Sequence, residues 1–293
     1  MSTTEGKPPL NIIEAFKERH SIRVFNGQEL TEQQQKLVAK CIEEANQLET
    51  PFHTPGIELS LSNPGLGLLG VTTKEFGWIV EKIPSKHLQP LNNTTEQKPI
   101  IDASYIGEHV VMKLAQYHID TIWIANTYNQ KEAERRFSGF KVPSAIAYGI
   151  KHTNQQIHGK YRFFGWAPGE RLPFEQIFYD EINKKTITEK DLETTPGKPS
   201  KYPSYFKAFL TSLRSTPSAQ NIQPWRFVFT KKEVHLFDIN VNHYSHFDMG
   251  IALASLHLLA EIRGGSCKFK VKNPPPPPSP LKGTYIMTAV YNQ

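Results

Sequence analysis

The stretch RSTPSAQNIQPWRFVF (214–229) opens as a turn and closes as a strand. Small and polar residues surround Pro217, whereas Phe227, Val228 and Phe229 carry β propensity behind Trp225 and Arg226. Between them lie the side-chain amides of Gln220, Asn221 and Gln223, none with an evident structural duty. Pro217 and Ser218 bend the chain, and small Ala219 lets its backbone approach a ligand. The amides offer both donors and acceptors, which suits a flat heterocycle with hydroxyls on its tail. By composition alone the plainer reading, a polar turn with Trp225 packed beneath it, is favoured.

Outward from this turn the chain reads as alternating helices and strands. Apolar spacing predicts helices near 11–19, from Thr31 onward, over 102–118 and over 205–213. Thr31 followed by Gln34 reads as a capping box. Arg171-Leu172-Pro173 reads as the start of a further helix, with Pro173 at its first position. Strands are predicted near 57–61, 76–83, IDTIWIA (119–125) and VPSAIAYGI (142–150). RFVF and EVHLFDI read as a hairpin across TKK, and CKFKV and TYIMTAVY alternate as strands. FDMGIALASLHLLAEIRGG (247–265) is apolar almost all round, so a buried helix ended by Gly264 and Gly265 is expected. Asp102 and Asp248 each open a long helix that runs into a β segment, which hints at two copies of one α+β unit.

Composition narrows the function. The 293 residues carry a net charge of +6 and are 38% hydrophobic, with a mean hydropathy of −0.46. Lys and Arg are scattered, so a generally basic surface is expected rather than a nucleic-acid footprint. No apolar run approaches the ~20 residues of a membrane span, and the start lacks the apolar core of a secretory signal. Cys41 and Cys267 sit in apolar patterns without CxxC spacing, which fits a reducing, cytoplasmic setting and no structural metal. His243 and His246 lack a third ligand nearby. NPPPPPSP (273–280) reads as a stiff surface connector, with capture by a proline-recognising module as the alternative.

GLGLLG (65–70) spells GxGxxG but is followed by strand-like VTTKEFGWIV, and Pro90 stands where an acid is needed. It reads as a glycine-rich β connection. No nucleophile elbow or Ser-His-Asp order is present. ERHSIRVF (18–25) gathers Arg19, His20, Ser21 and Arg23 at a helix end. Two guanidiniums and a hydroxyl in five residues can bind a phosphate bidentately, while basic residues offsetting a helix dipole are the plainer account. Arg171, in GERLPFEQIF, is a remote third cation.

Taken together, ERHSIRVF, VPSAIAYGI, ERLP, PSAQNIQPWRF and DMGIAL resemble, in order, the motifs of FMN-dependent nitroreductases. The resemblance spans most of residues 10–290. Its spacing is that of the branch with two diverged halves fused on one chain. It implies an α+β fold of mainly antiparallel sheets flanked by helices, an intramolecular pseudo-dimer arising from gene duplication. The halves are expected at 10–165 and 166–293, packed as one unit. The resemblance places Arg19, Ser21 and Arg171 on the FMN phosphate, His20 near the phosphate or ribityl chain, and Arg23 at the N1/O2 edge of the ring. Pro217, Ser218, Ala219, Gln220, Asn221 and Gln223 would line the ring and ribityl chain. The converse motifs are degraded: ANQLETPFHTP (45–55) and NKKTITEKD (183–191) stand in their places. One FMN per chain is therefore expected.

The resemblance also implies hydride transfer from NADH or NADPH to flavin N5, then to a small-molecule electron acceptor by a ping-pong scheme, with no protein nucleophile and no metal. Flavin reduction or reductive dehalogenation on the same fold, or flavin storage without turnover, are the other readings. A monomer or weak homodimer is expected, with neither nucleic acid nor membrane as partner.

Overall fold

The computed structural model describes residues 7–68, 70–88, 97–153, 170–193, 202–239, 244–279 and 281–292. The chain divides into two compact units, Met1–Ala167 and Pro168–Gln293. The boundary expected at 165/166, His243 and Pro280 of the proline stretch lie outside the described residues.

In the first unit, α1 (Ile12–Glu18) begins at Asn11, whose side chain accepts from Glu14 N while the Glu14 carboxylate accepts from Asn11 N. The same reciprocal box, Thr31 with Gln34, opens α2 (Glu32–Asn46), as its spacing predicts. Each box satisfies backbone donors that the first helical turn leaves unpaired. Strands β1 (Glu58–Ser62) and β2 (Gly77–Pro84) pair antiparallel. Helix α3 runs Lys98–Gln116, one turn earlier than Asp102, because Pro99 fits the first turn where no N–H bond is lost. Next come β3 (Asp120–Ile124), α4 (Gln130–Arg136), the short β4 (Phe140–Lys141) and β5 (Ala145–Gly149). The sheet order is β1-β2-β5-β3, with β4 on the end of β2. Trp78, Ile79, Val80 and all of β5 are buried, so these strands are covered on both faces.

The glycine-rich stretch behaves as a β connection: Gly65 and Gly70 take positive φ, Gly67 bridges to Tyr128, and β2 follows rather than a helix.

The second unit holds β6 (Phe178–Asp180), β7 (Lys185–Thr186), α5 (Phe206–Arg214), β8 (Trp225–Phe229), β9 (Glu233–Asp238), α6 (Ser245–Leu258), β10 (Ser266–Lys270) and β11 (Thr284–Asn292). Its sheet order is β10-β11-β9-β8-β6-β7. Helix α6 is buried, and after a short 3₁₀ segment Gly264 ends it at φ +73°.

The helix expected after Arg171 does not form. Pro173 instead precedes a single 3₁₀ turn, Phe174–Gln176, and the chain enters β6. Aromatic and β-branched Ile177-Phe178-Tyr179 favour a strand, and Phe227 N donates to Ile177 O at 2.9 Å. Long-range pairing with β8 therefore overrides the local helix start.

The units repeat one topology. In order along the chain, β1, β2, β3 and β5 correspond to β8, β9, β10 and β11. The sheet orders β1-β2-β5-β3 and β8-β9-β11-β10 then coincide, every pair antiparallel. The long helices α3 and α6 occupy the same place in each order.

The two sheets differ at one edge. Beyond β8 lies β6, the parallel partner among the described strands. At the corresponding edge of β1 the backbone of Leu59 is met by a side chain. Leu59 N donates to Asn46 Oδ1 at 2.7 Å, and Asn46 Nδ2 donates to Leu59 O at 3.0 Å. An amide from the end of α2 does there what a strand does in the second unit.

Candidate functional site

The phosphate-type motif lies where α1 ends. Arg19 is the C-cap of α1 with extended backbone (φ −66°, ψ 120°). From there the chain runs extended: Ser21 bridges Thr121 of β3 and Val24 bridges Thr73. Ile22 N donates to Thr121 O at 3.0 Å, and Thr73 N donates to Arg23 O at 3.0 Å. Ile22, Val24 and Phe25 are buried and anchor the segment, which leaves His20 and Ser21 exposed and Arg19 and Arg23 half-buried. Core packing thus presents the polar members of the motif outward.

Arg19 and His20 line an open cleft of about 830 Å³ formed within the first unit. Lys7, Lys17, Lys151, His118 and His152 share its walls, with Glu14, Glu18 and Asp120 as the acids. Its volume is that of a small-molecule site, and its charge suits an anion. Ser21 and Arg23 are not among its lining residues. Arg19 Nε is withdrawn from solvent and has no hydrogen-bond partner among the described residues. Burial holds the guanidinium below its ordinary pKa, and nearby Glu108 acts in the opposite sense.

The amide-rich turn is built in the second unit. After Ser218 the residues Gln220, Asn221 and Gln223 take φ of 53°, 57° and 55°. Left-handed backbone at non-glycine residues costs about 1–3 kcal/mol each and persists only where surroundings impose it. Asp248 on α6 imposes part of it: Ala219 N donates to Asp248 Oδ1 at 2.8 Å. Gln223 imposes more. Its backbone N donates to Ser218 Oγ at 3.0 Å, its Oε1 accepts from Leu172 N at 3.0 Å, and its Nε2 donates to Asn221 O and Glu170 O. Asn221 Nδ2 also donates to Glu170 O at 3.0 Å. Arg171 donates from Nη1 to Thr216 O at 2.8 Å and from Nη2 to Ser215 O at 2.9 Å. Arg214 returns two bonds, to Leu172 O and Arg171 O. The ERLP segment and the turn are therefore laced into one piece. Gln223, 1% exposed, is fully engaged in that lacing. Trp225 is fully buried, and Arg226 Nη1 donates to the carbonyls of Gln223 and Trp225.

Sequence reasoning passed over Asp248 as a functional residue. Its signal is a lone acid in an otherwise apolar helix start. Burial raises its pKa well above the ordinary carboxylate range, opposed by the Ala219 N–H and reinforced by Asp238. Its Oδ2 is buried without a partner among the described residues.

The first unit carries the counterpart. Asp102 on α3 accepts from Phe52 N and Thr54 N, both at 2.9 Å, and so holds the loop of ANQLETPFHTP. His53 in that loop takes φ 55°. The anchor persists in both units, whereas the amides of the turn are present in one.

An α+β unit with this strand order and helix-anchored turn is a nitroreductase fold. A family model described as "Putative TM nitroreductase" matches residues 91–260, more than half of the chain, and the protein belongs to that family. A crystal structure of a putative nitroreductase from Thermotoga maritima matches at 19% identity with a TM-score of 0.59, covering 98% of this chain and 95% of that one. A putative NAD(P)H:FMN oxidoreductase from Staphylococcus epidermidis matches at 12% identity and a TM-score of 0.39 over 51% of this chain and 91% of its own. An FMN-dependent nitroreductase from Clostridium difficile matches at 16% identity and a TM-score of 0.37, over 48% of this chain and 88% of its own. No curated protein matches the chain. Among the described residues no helix is long and apolar enough to cross a membrane.

Proposed function

We propose that the protein is an FMN-dependent oxidoreductase that takes electrons from NADH or NADPH and passes them to a small-molecule acceptor. The observation that carries this reading is the Arg19–His20 wall of a basic cleft in a chain of the nitroreductase family. The donor set fits a phosphomonoester. Buried Arg19 Nε lacks a partner among the described residues, and exposed His20 and Ser21 add donors that a phosphate oxygen can accept from.

Arg19, His20 and Ser21 would hold the phosphate, and Arg23 would face the N1/O2 edge of the ring, where a cation favours the reduced, anionic state. The turn from Pro217 through Ser218, Ala219, Gln220 and Asn221 would line the ring and ribityl chain. Gln223 and Arg171 would serve by holding that turn and the ERLP segment in shape, with phosphate contact by Arg171 the additional role its motif implies. Bound FMN would supply the two-electron chemistry, accepting hydride from the nicotinamide and giving it to the acceptor in ping-pong order. The protein would bind, orient and set the electrostatics. No side-chain nucleophile is required. The expectation of one FMN per chain rests on the sequence motifs, each present in an intact form once.

The test is titration of the full-length protein with FMN, followed by anaerobic addition of NADH or NADPH. Saturation at one FMN per chain and bleaching of the flavin absorbance by a nicotinamide are expected. A protein that takes up no FMN overturns the reading. One that binds FMN but is not bleached by either donor is a flavin-binding protein without turnover.

A further inference from the structure

The proline run joins two strands that already lie side by side. Strand β10 ends at Lys270, which pairs with Thr288, and β11 begins at Thr284. The return from Lys270 to Thr284 covers roughly 14 Å of strand at ~3.4 Å per residue. About five extended residues would close that distance, but the chain uses residues 271–283. At the same place in the first unit, between β3 and β5, stand α4 and β4. Chain beyond what closure needs is commonly functional.

The run is fastened near both ends. Lys272 N donates to Tyr285 Oη at 2.9 Å, and Leu281 N donates to Pro278 O at 2.9 Å. Leu281 is fully buried in a cluster with Tyr179, Val228 and Phe237. Between these points proline fixes φ and offers no N–H to a ladder. Residues 274–278 therefore take the polyproline II helix, with three residues to a turn. Exposure along the run has that period. Pro277 is buried and Pro274 half-buried, so their ridge faces inward. Lys272, Pro275 and Pro278 are exposed on the next ridge, and Asn273, Pro276 and Ser279 are exposed on the third.

We propose that this run is a docking ligand for a proline-recognising module of SH3 type, a domain with an aromatic-lined groove and a carboxylate at one end. The match is geometric. Pro275 and Pro278 stand one turn apart on one exposed ridge, about 9 Å at ~3.1 Å per residue, and fill neighbouring aromatic pockets. Lys272 lies one further turn along the same ridge and meets the carboxylate. Its ion pair with Glu233 is at the surface, with the lysine side chain 40% exposed, so exchanging that partner costs little. Lys270 and Lys282, both exposed, add charge of the same sign. Because the run is held near both ends, little conformational freedom is lost on docking. A second copy of this chain suits the run less well, since the basic flanks of two copies repel. The run holds none of the residues assigned to the flavin, so docking and flavin uptake are separable.

The experiment titrates the full-length protein into an array of purified SH3 domains, followed by calorimetry. It compares the wild type with Pro275→Ala, Pro278→Ala, Lys272→Gln and Pro274→Ala. Circular dichroism and thermal melting check that each variant is folded. Saturable one-to-one binding by at least one domain is expected. Pro275→Ala and Pro278→Ala should each weaken it at least about fivefold, as loss of a central contact does. Lys272→Gln should weaken it and reduce its dependence on salt. Pro274→Ala, on the inward ridge, should stay within about twofold of the wild type. Binding that survives loss of both Pro275 and Pro278, or no saturable binding by any domain up to about 1 mM, overturns the proposal. An equal loss on Pro274→Ala overturns the assignment of the outward ridge. Concentration-dependent self-association that Pro275→Ala and Pro278→Ala abolish overturns the choice of partner and assigns the run to a second copy.

Discussion

Replacing Asn46 by Ala tests how the first unit closes its sheet. The side chain makes two bonds to one buried residue, accepting from Leu59 N at 2.7 Å and donating to Leu59 O at 3.0 Å. Leu59 is 2% exposed, but Asn46 itself is exposed, so water can reach the edge once the amide is gone. Each bond should then be worth about 1 kcal/mol net rather than the larger cost of a sealed, unsatisfied group. Alanine regains up to about 0.5 kcal/mol of helix propensity at the end of α2. The net expectation is a destabilisation of roughly 1–2 kcal/mol in the first unit. Hydrogen exchange read at the Leu59 amide reports the loss locally, and urea unfolding followed by fluorescence reports it for the unit. A second consequence follows from the unpaired strand edge, which is flanked by Leu61 at 45% exposure. Such an edge recruits other strands, so Asn46→Ala should self-associate with rising concentration in sizing experiments. Unchanged Leu59 protection together with less than about 0.5 kcal/mol of destabilisation would refute the claim that this amide stands in for a strand.

Two further outcomes follow from the core of the first unit. A Cβ on Gly107 would lie 2.4 Å from the Trp123 ring and 3.2 Å from Glu81 Oε1. Gly107→Ala should therefore lower stability by about 1–3 kcal/mol in chemical denaturation and disturb the near-UV signal of Trp123; a variant as stable as the parent would show that the packing there yields. Glu81, fully buried, has its carboxyl pushed up to about 8 by burial, opposed by hydrogen bonds from Ser144 and Ser104. The folded protein therefore holds a proton that the unfolded chain releases above its ordinary carboxylate pKa. Its contribution to stability is full below that ordinary value and is lost as pH rises toward 8. Glu81→Gln should flatten the fall in unfolding free energy across that window by a few kcal/mol (at about 1.4 per pKa unit), and parallel pH profiles for the two proteins would contradict it.

Much of the fold was legible because its signals are local. The capping box at Thr31 and Gln34, the turn after Phe229 and the apolar run of α6 ended by Gly264 depend on residues a few positions apart, and all formed as expected. The resemblance of five motifs, in order, to those of nitroreductases also pointed to the family that the family match shows. The helix expected after Arg171 failed for the complementary reason. Its start signal is local, but Ile177 and Phe178 meet the edge of β8, some fifty residues later in the chain, and the strand bonds prevail.

The amide-rich turn divides along the same line. The sequence by itself marked Gln220, Asn221 and Gln223 as out of proportion to a turn. Only the tertiary structure separates their duties: Gln223 is spent on holding Leu172, Asn221 and Glu170, and Asp248 anchors the turn from a helix that begins more than twenty residues later. Asn46 was silent in the sequence, because an asparagine on a helix reads as a solvated face until its partner is known. Composition and spacing determine which elements form and which side chains are available. Burial and the meeting of distant segments decide which of those side chains are charged, engaged, or left to act.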